Sequence, residues 1–284
     1  MAKLAFIGLG AMGFPMAGHL NSAGHDVTVF NRTPEKAAAW VEAHGGQAAP
    51  SVAQAVTGAE CIITCVGADV DVEGVFEAAL PHAAPGVLFI DHTTASARLA
   101  RMLAARAQDR GCQFLDAPVS GGQAGAQAGR LTVMAGGDPA AFAQASENCK
   151  AYAQSMTWIG PSGAGQLAKM VNQICIAGVV QGLSEGLHFA ERAGLDPETV
   201  ITAISKGAAQ SWQMENRWRT MAEGRFDFGF AVDWMRKDLG LVLDEARANG
   251  ARLPLAALID QFYADLQARG GGRWDTSSLI ERLK

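Results

Sequence analysis

The 284-residue chain lacks any run of 18 apolar residues, so it offers no candidate for a membrane-spanning helix. Its longest apolar stretch, Cys175 to Val180, is bounded by Asn172, Gln173 and Gln181 and predicts a buried helix. No basic block or stripe occurs and the formal net charge is −5; nucleic-acid binding is not expected. The five cysteines, at 61, 65, 112, 149 and 175, form no C-x-x-C pair. An odd, scattered set predicts reduced thiols in a cytosol-like, cytoplasmic compartment and no metal site. Cys61 and Cys65 fall in a predicted strand and read as core. Repeats and low-complexity tracts are also missing. The N-terminus is expected to enter the first strand at once, with no signal or transit peptide. What is present is globular: 49% apolar and 18% charged residues, enough for one large or two ordinary domains.

The most informative segment is the start. The apolar run Lys3-Leu4-Ala5-Phe6-Ile7 leads directly into Gly8-Leu9-Gly10-Ala11-Met12-Gly13. This is a strand entering a G-x-G-x-x-G turn. Gly8 permits the tight turn, Gly10 lets a pyrophosphate approach the backbone, and Gly13 lets the next helix pack on the strand. The helix then points its N–H groups and positive dipole end at the phosphates. A second strand, Val27-Thr28-Val29-Phe30, ends in Asn31-Arg32-Thr33. An NAD site carries an Asp or Glu at this strand end for the ribose 2′-hydroxyl. Here an amide, a guanidinium and a hydroxyl stand instead, and Arg32 suits a phosphate. NADP is therefore favoured over NAD. The competing reading makes Asn31 a helix cap and Arg32 a solvated charge. Thr33 before Pro34 is expected to supply that cap, leaving Asn31 and Arg32 for a ligand.

The first half alternates strand and helix. Predicted strands cover 61–66, 87–91, 113–117, 131–135 and 156–160, with helices over 34–44 and 95–111 among them. Near-continuous apolar runs such as Cys61 to Val66 are those of parallel strands buried on both faces. The fold class expected is α/β: an N-terminal Rossmann-type, mostly parallel sheet with helices on both faces, joined by a long helix to an all-helical C-terminal domain. The domains are set at 1–162 and 163–284. Helical spacing from Gly165 to about Arg192 predicts one helix of roughly 25 to 28 residues. Further helices are expected over 197–206, 211–223, 231–249 and 254–268. Gly270-Gly271-Gly272 reads as a short hinge.

Three more segments could carry chemistry. In Asp116-Ala117-Pro118-Val119-Ser120-Gly121-Gly122, the glycines leave backbone N–H groups accessible and Ser120 adds a hydroxyl. Such a loop can surround a carboxylate; it can equally be an ordinary strand-to-helix turn. Lys169 and Asn172 share one helix face, with Gln173 at its border. Either Lys169 snorkels to solvent and Asn172 is a satisfied core amide, or both look into a cleft and Lys169 donates a proton to a carbonyl oxygen. Lys237, in Lys237-Asp238-Leu239-Gly240, either belongs to a charged turn or reaches a cofactor.

Together these segments resemble the β-hydroxyacid dehydrogenase family, which includes 3-hydroxyisobutyrate dehydrogenases, tartronate semialdehyde reductases and glyoxylate/succinic semialdehyde reductases. Five stretches carry the resemblance in order: Gly8 to Gly13 with Pro15-Met16-Ala17, Asn31-Arg32-Thr33, Asp116 to Gly122 with Gly125-Ala126, Gly163 to Asn172, and Lys237-Asp238-Leu239. The resemblance implies that Lys169 is the catalytic acid/base. It implies that Asn172 orients the substrate and that Ser120, Gly121 and Gly122 hold its carboxylate. Gly8, Leu9, Gly10, Ala11, Met12, Gly13, Asn31, Arg32, Thr33, Val66, Thr94 and Lys237 are the implied cofactor residues. A homodimer or homotetramer is implied as well. A lysine works best as acid/base when its pKa is lowered toward neutrality. Arg217 reads as a surface charge or as a contact to a second acidic group of the substrate; Phe230, Asp233 and Trp234 are further pocket candidates.

The activity expected is NADP-dependent hydride transfer between nicotinamide and a small β-hydroxyacid or its semialdehyde. Two other functions compete. Imine reductases share the architecture and generally lack a lysine at position 169. A non-catalytic NADP-binding module would keep the glycines and lose that lysine.

Overall fold

In the computed structural model, which describes residues 1–284, strand and helix alternate through the first 160 residues. The order is β1 (Lys3–Ile7), α1 (Gly13–Ser22), β2 (Asp26–Phe30), α2 (Pro34–His44), β3 (Gln47–Ala48), α3 (Val52–Val56), β4 (Cys61–Thr64), α4 (Asp69–Ala79) and β5 (Leu88–Asp91). Then follow α5 (Ala97–Asp109), β6 (Gln113–Asp116), β7 (Val119–Ser120), α6 (Gly122–Gln127), β8 (Leu131–Gly136), α7 (Pro139–Cys149) and β9 (Ala153–Gly160). The sheet order is β3-β2-β1-β4-β5-β6-β8-β7, with β9 paired to β8. The strands from β3 to β6 are parallel, β8 runs antiparallel to β6 and β7, and β9 is parallel to β8. The chain order reverses at β1, which lies between β2 and β4. In such sheets ligands bind beyond the carboxyl ends of the strands at the reversal point. The glycine turn leaves β1 at that end.

Alternation along β1 explains the two cores of this sheet. Leu4 and Phe6 pack on one face with Met16, Leu20, Val29 and Trp40. Ala5 and Ile7 pack on the other with Ile62, Phe76, Phe89 and Leu103. Several helices start on a side-chain cap: Ser51, Ser96 and Asp138 each accept a backbone N–H at the head of α3, α5 and α7.

The remaining elements are helical: α8 (Ala164–Arg192), α9 (Pro197–Ile204), α10 (Trp212–Ala222), α11 (Val232–Asn249) and α12 (Pro254–Ala268), followed by a 3₁₀ turn at Gly271–Arg273 and another at Thr276–Arg282. The chain divides into two compact units, Met1–Lys169 and Met170–Lys284, so the first residues of α8, through Lys169, belong to the first. In the second unit Val180, Met235, Leu239, Ile259 and Tyr263 form one core cluster, and Leu187, Ile201, Met214, Met221 and Ile280 another. No helix is long and apolar enough to cross a membrane.

The fold class is the one expected, with local corrections. The strand expected over 61–66 ends at Thr64, because Cys65 and Val66 already turn toward a loop. Of the glycine triplet at 270–272, Gly271 and Gly272 are packed rather than hinge-like, whereas Gly270, at φ +83°, has open space where a Cβ would be. A methyl group on Gly271 would meet Trp274 at 2.5 Å, and one on Gly272 would meet the Asp233 carboxylate at 2.5 Å. These positions are small because neighbours occupy the space.

Candidate active site

The first unit builds the glycine turn by close contact. Gly8 has φ +102°, and a methyl group there would overlap the carbonyl oxygen of Cys65. A methyl group on Gly13 would overlap the carbonyl oxygen of Gly8. Only glycine fits at either position. Gly10 differs: nothing lies within 4 Å of where its Cβ would be. No side chain caps the N-terminus of α1 and no acidic residue stands in its first turn. The turn thus offers an open backbone face beside uncapped N–H groups, which fits a dinucleotide pyrophosphate. Beside it lies a cavity of about 640 Å³, lined by Leu9, Gly10, Ala11, Phe14, Lys36 and Gln123 among others.

The second strand end departs from expectation. Asn31 is not left for a ligand. Its Oδ1 accepts the Leu9 N–H at 2.9 Å and its Nδ2 donates to Thr33 O at 3.1 Å. Thr33 does occupy the N-cap position of α2, but its hydroxyl caps nothing. The compact Asn31 amide braces the turn on one side and the α2 entry on the other. Arg32 is 91% exposed and lies 3.5 Å from Asp71, a separation at which a solvated pair contributes little.

The loop after β5 is held from several directions. Thr93 accepts the Val66 N–H on its hydroxyl at 3.0 Å. Asp91 Oδ1 accepts from the Thr64 hydroxyl at 2.7 Å and from Thr93 N at 3.1 Å. Val66 and Thr94 are half-buried. His92 is buried between two partners, Ala117 O at 2.6 Å from Nδ1 and the Tyr152 hydroxyl at 2.7 Å from Nε2. A carbonyl only accepts, so Nδ1 carries the proton and Nε2 accepts from Tyr152. The Cys149 thiol, 3.0 Å from the Tyr152 oxygen, completes the chain. Burial pushes His92 down to about 4 and Cys149 up to about 12, so both are neutral. This chain ties the 91–94 loop to the 116–122 loop.

In that second loop Ser120 ends β7, opposite Thr132. Gly121 and Gly122 are exposed at positive φ, +125° and +60°. Asp116, at the end of β6, has a role that the sequence alone did not disclose. It is wholly buried and accepts N–H groups from Gly163 at 2.7 Å and Gln166 at 2.9 Å. Its carboxylate therefore satisfies the head of α8, where free donors need acceptors. Burial raises its pKa to about 7; the N–H bonds pull it down and nearby Asp91 pushes it up. Gln166, also fully buried, spans the 93–95 backbone: Nε2 donates to Thr93 O at 2.7 Å and Oε1 accepts from Ala95 N at 3.0 Å. One turn of helix beyond these anchors stands Lys169, only 7% exposed. That burial leaves little of the side chain in solvent.

In the second unit Asn172 is half-buried. Its Nδ2 donates to Gln173 Oε1 at 2.8 Å, and Gln173 Nε2 donates to buried Asp238 at 2.6 Å. Lys237 Nζ lies 3.2 Å from Asp238 and 5.8 Å from the centre of the Trp234 ring. Arg217 is not the surface charge that was one of the two things expected of it. It lies between the rings of Trp212 and Phe228, at 4.6 and 4.9 Å, and 3.6 Å from buried Asp275. It is an internal fastener of this unit. Asp233 accepts from Gln267 at 2.5 Å and Phe230 packs on the unit's core, so both are engaged internally; the Trp234 ring is 41% exposed.

Comparison with known families accords with this architecture. Residues 3–160 match the family described as the NAD binding domain of 6-phosphogluconate dehydrogenase. Residues 163–283 match the family described as NAD-binding of NADP-dependent 3-hydroxyisobutyrate dehydrogenase. The chain belongs to the 3-hydroxyisobutyrate dehydrogenase family. It is 61% identical to an uncharacterized oxidoreductase of Shewanella frigidimarina, over 100% of this chain and 99% of that one. It is 36% identical to a NAD-dependent L-serine dehydrogenase of Pseudomonas aeruginosa, over 100% and 98%. Mycobacterium tuberculosis 3-hydroxyisobutyrate dehydrogenase, solved with L-serine, superposes with a TM-score of 0.92 at 35% identity, covering 100% and 99%. The 3-hydroxyisobutyrate dehydrogenase family is one of oxidoreductases with an NAD(P)-binding domain, which residues 3–160 match in this member.

Proposed function

We propose that this protein is an NADP-dependent oxidoreductase of small β-hydroxyacids and their semialdehydes, with Lys169 as general acid/base. The observation that carries this reading is the buried Lys169, one turn past a helix start fixed by Asp116 and Gln166. A lysine is almost never fully buried unless its charge is paired, and a buried ammonium at this helix start is suited to hold and move a proton. Gly8 to Gly13 hold the pyrophosphate, Val66 and Thr94 flank the cofactor, and residues 1–162 form the dinucleotide domain. Residues 163–284 form the substrate and oligomerisation domain, assembled as a homodimer or homotetramer. Arg32 reads the 2′-phosphate, which outcompetes a weak pair with Asp71; Thr33 borders it, and Asn31 acts through the shape of the turn. Lys237 is assigned to the cofactor on the strength of the family resemblance. The five free thiols support a cytoplasmic setting.

When bound, the nicotinamide supplies or accepts the hydride. The protein's part is orientation and proton transfer. The Ser120 hydroxyl and the backbone at Gly121 and Gly122 hold the substrate carboxylate. Asn172 orients the substrate. Lys169 protonates the oxygen on which negative charge grows during reduction, and takes the hydroxyl proton during oxidation.

The test is turnover at 340 nm with both cofactors. The substrates are glyoxylate, succinic semialdehyde, tartronate semialdehyde and methylmalonate semialdehyde for reduction, and 3-hydroxyisobutyrate, glycerate and L-serine for oxidation. Turnover with NADP(H) ahead of NAD(H) is expected. Cofactor binding with no turnover of any substrate would favour the non-catalytic module.

A further inference from the structure

Two acidic side chains, Asp69 and Asp71, stand in the first turn of α4, and they have different partners. Asp69 is engaged by the next helix: Oδ1 accepts Ser96 N at 2.8 Å and Oδ2 accepts the Ser96 hydroxyl at 2.5 Å. Asp71 reaches elsewhere. Its Oδ2 accepts the Ala68 N–H at 3.2 Å, so the third residue of α4 holds the backbone where the helix begins. Its Oδ1 lies 3.5 Å from Arg32 Nη1. The two members of this pair differ in freedom. Arg32 is exposed on a long side chain that can turn, whereas Asp71 is half-buried and tied to the backbone. The carboxylate is therefore a standing negative charge beside the guanidinium, next to the strand end at which dinucleotide folds tell their cofactors apart.

We propose that Asp71 is a specificity-determining residue that opposes the 2′-phosphate and holds the preference for NADP below what Arg32 alone would give. This rests on the reading above that Arg32 meets that phosphate. A phosphate drawn to the guanidinium arrives beside a fixed carboxylate of the same sign. If Arg32 stays in place, two anions share one cation. If it swings to the phosphate, Asp71 is left without its counter-charge. In both cases NADP meets an opposition that NAD escapes, because a 2′-hydroxyl is uncharged and leaves the Arg32–Asp71 pair as it stands. The pair is weak as a source of stability, but the charge of its fixed member acts on any anion that approaches. Charges flanking one exposed guanidinium interact through a high dielectric and are screened over about 8 Å in physiological salt. The effect is therefore about three- to tenfold at low salt, not several orders of magnitude.

The test measures Kd for NADPH and NADH by nucleotide fluorescence, without substrate, in the wild type, Asp71→Asn and Arg32→Ala. Asp71→Asn removes the charge and keeps an oxygen for the Ala68 N–H; Asp71→Ala serves if that variant does not fold. The readout is the Kd of NADH divided by that of NADPH. It compares two nucleotides on one protein, so partial loss of folded material does not move it. Neutralising Asp71 is expected to raise this ratio at least about threefold at low ionic strength, and the gain should shrink toward one at about 0.5 M salt. Arg32→Ala should lower the ratio. A ratio unmoved or lowered by the Asp71 variant, while Arg32→Ala lowers it, would overturn the proposal and leave the reading of Arg32 standing. A gain that salt does not diminish would overturn it too, since the carboxylate would then act by shape rather than charge. A ratio that Arg32→Ala fails to lower would bring down that reading and the proposal together, as would binding of neither nucleotide by the wild type.

Discussion

Asp116→Asn probes the anchor at the head of α8 through its dependence on pH. Burial raises the Asp116 pKa from 3.8 to about 7. The folded state then holds a proton that the unfolded chain has released, throughout the interval between those values. Stability falls with rising pH wherever the folded state binds more protons. The contribution is fully present below about pH 4 and is lost as pH climbs through 7. A shift of roughly three units corresponds to about 4 kcal/mol. Asn at 116 does not titrate, so the unfolding free energy of the wild type minus that of the variant should fall by about that amount between pH 4 and pH 8. His92 acts in the opposite direction. Its folded pKa, about 4 against 6.5, gives stability that is present above pH 6.5 and is lost as pH falls toward 4. Both proteins contain it, so it cancels in the difference. A constant offset of about 1–3 kcal/mol is also expected, since an amide accepts only one of the two N–H groups through its oxygen. The assay is urea unfolding of both proteins by circular dichroism in half-unit pH steps. A difference that stays flat, or that grows with pH, would refute the assignment of Asp116 as a buried, proton-holding anchor.

Lys169→Ala should lower turnover by at least about a hundredfold while leaving NADPH affinity, measured by fluorescence titration, within a fewfold of wild type; normal turnover would remove the acid/base assignment. Arg32→Asp should move the ratio of NADP to NAD kcat/KM toward NAD, and an unchanged ratio would contradict the reading of that strand end. Arg217→Ala should destabilise the protein by roughly 2–4 kcal/mol, because it strips buried Asp275 of its cation and takes the guanidinium from two aromatic rings. A thermal midpoint unaltered from wild type would place that side chain back on the surface.

Elements read correctly from the sequence are those whose signal is local. The run into Gly8 and the apolar stretches at Cys61 and Leu88 mark buried parallel strands by themselves. The helical repeat from Gly165 gave the length of α8, Ala164–Arg192, almost to the residue. Two-residue strands such as β3 and β7 are shorter than any period and leave no such trace. Site residues divide along the same line. Lys169 stands out because it interrupts an apolar helix face. Asp116 acts on donors 47 and 50 residues away, and Gln166 on backbone 71 and 73 residues away; no spacing rule connects them. Arg217 misled for a similar reason: an isolated charge gives no hint of the carboxylate folded beneath it. Asn31 misled because a strand-end amide can serve a ligand or its own chain, and its partner, Leu9, is 22 residues earlier.

That last contact has a consequence for anyone who would retool this protein's cofactor choice. Grafting an acidic residue in from an NAD-using relative would exchange an amide that both gives and takes for a group that only takes. The link to Leu9 could persist, but the one to Thr33 would be severed, and two carbonyl-type oxygens would confront each other where α2 begins. Positions 31 and 32 are adjacent yet not interchangeable as engineering handles: the second, exposed, is the one our proposal would vary for selectivity, whereas the first is part of the frame beneath it.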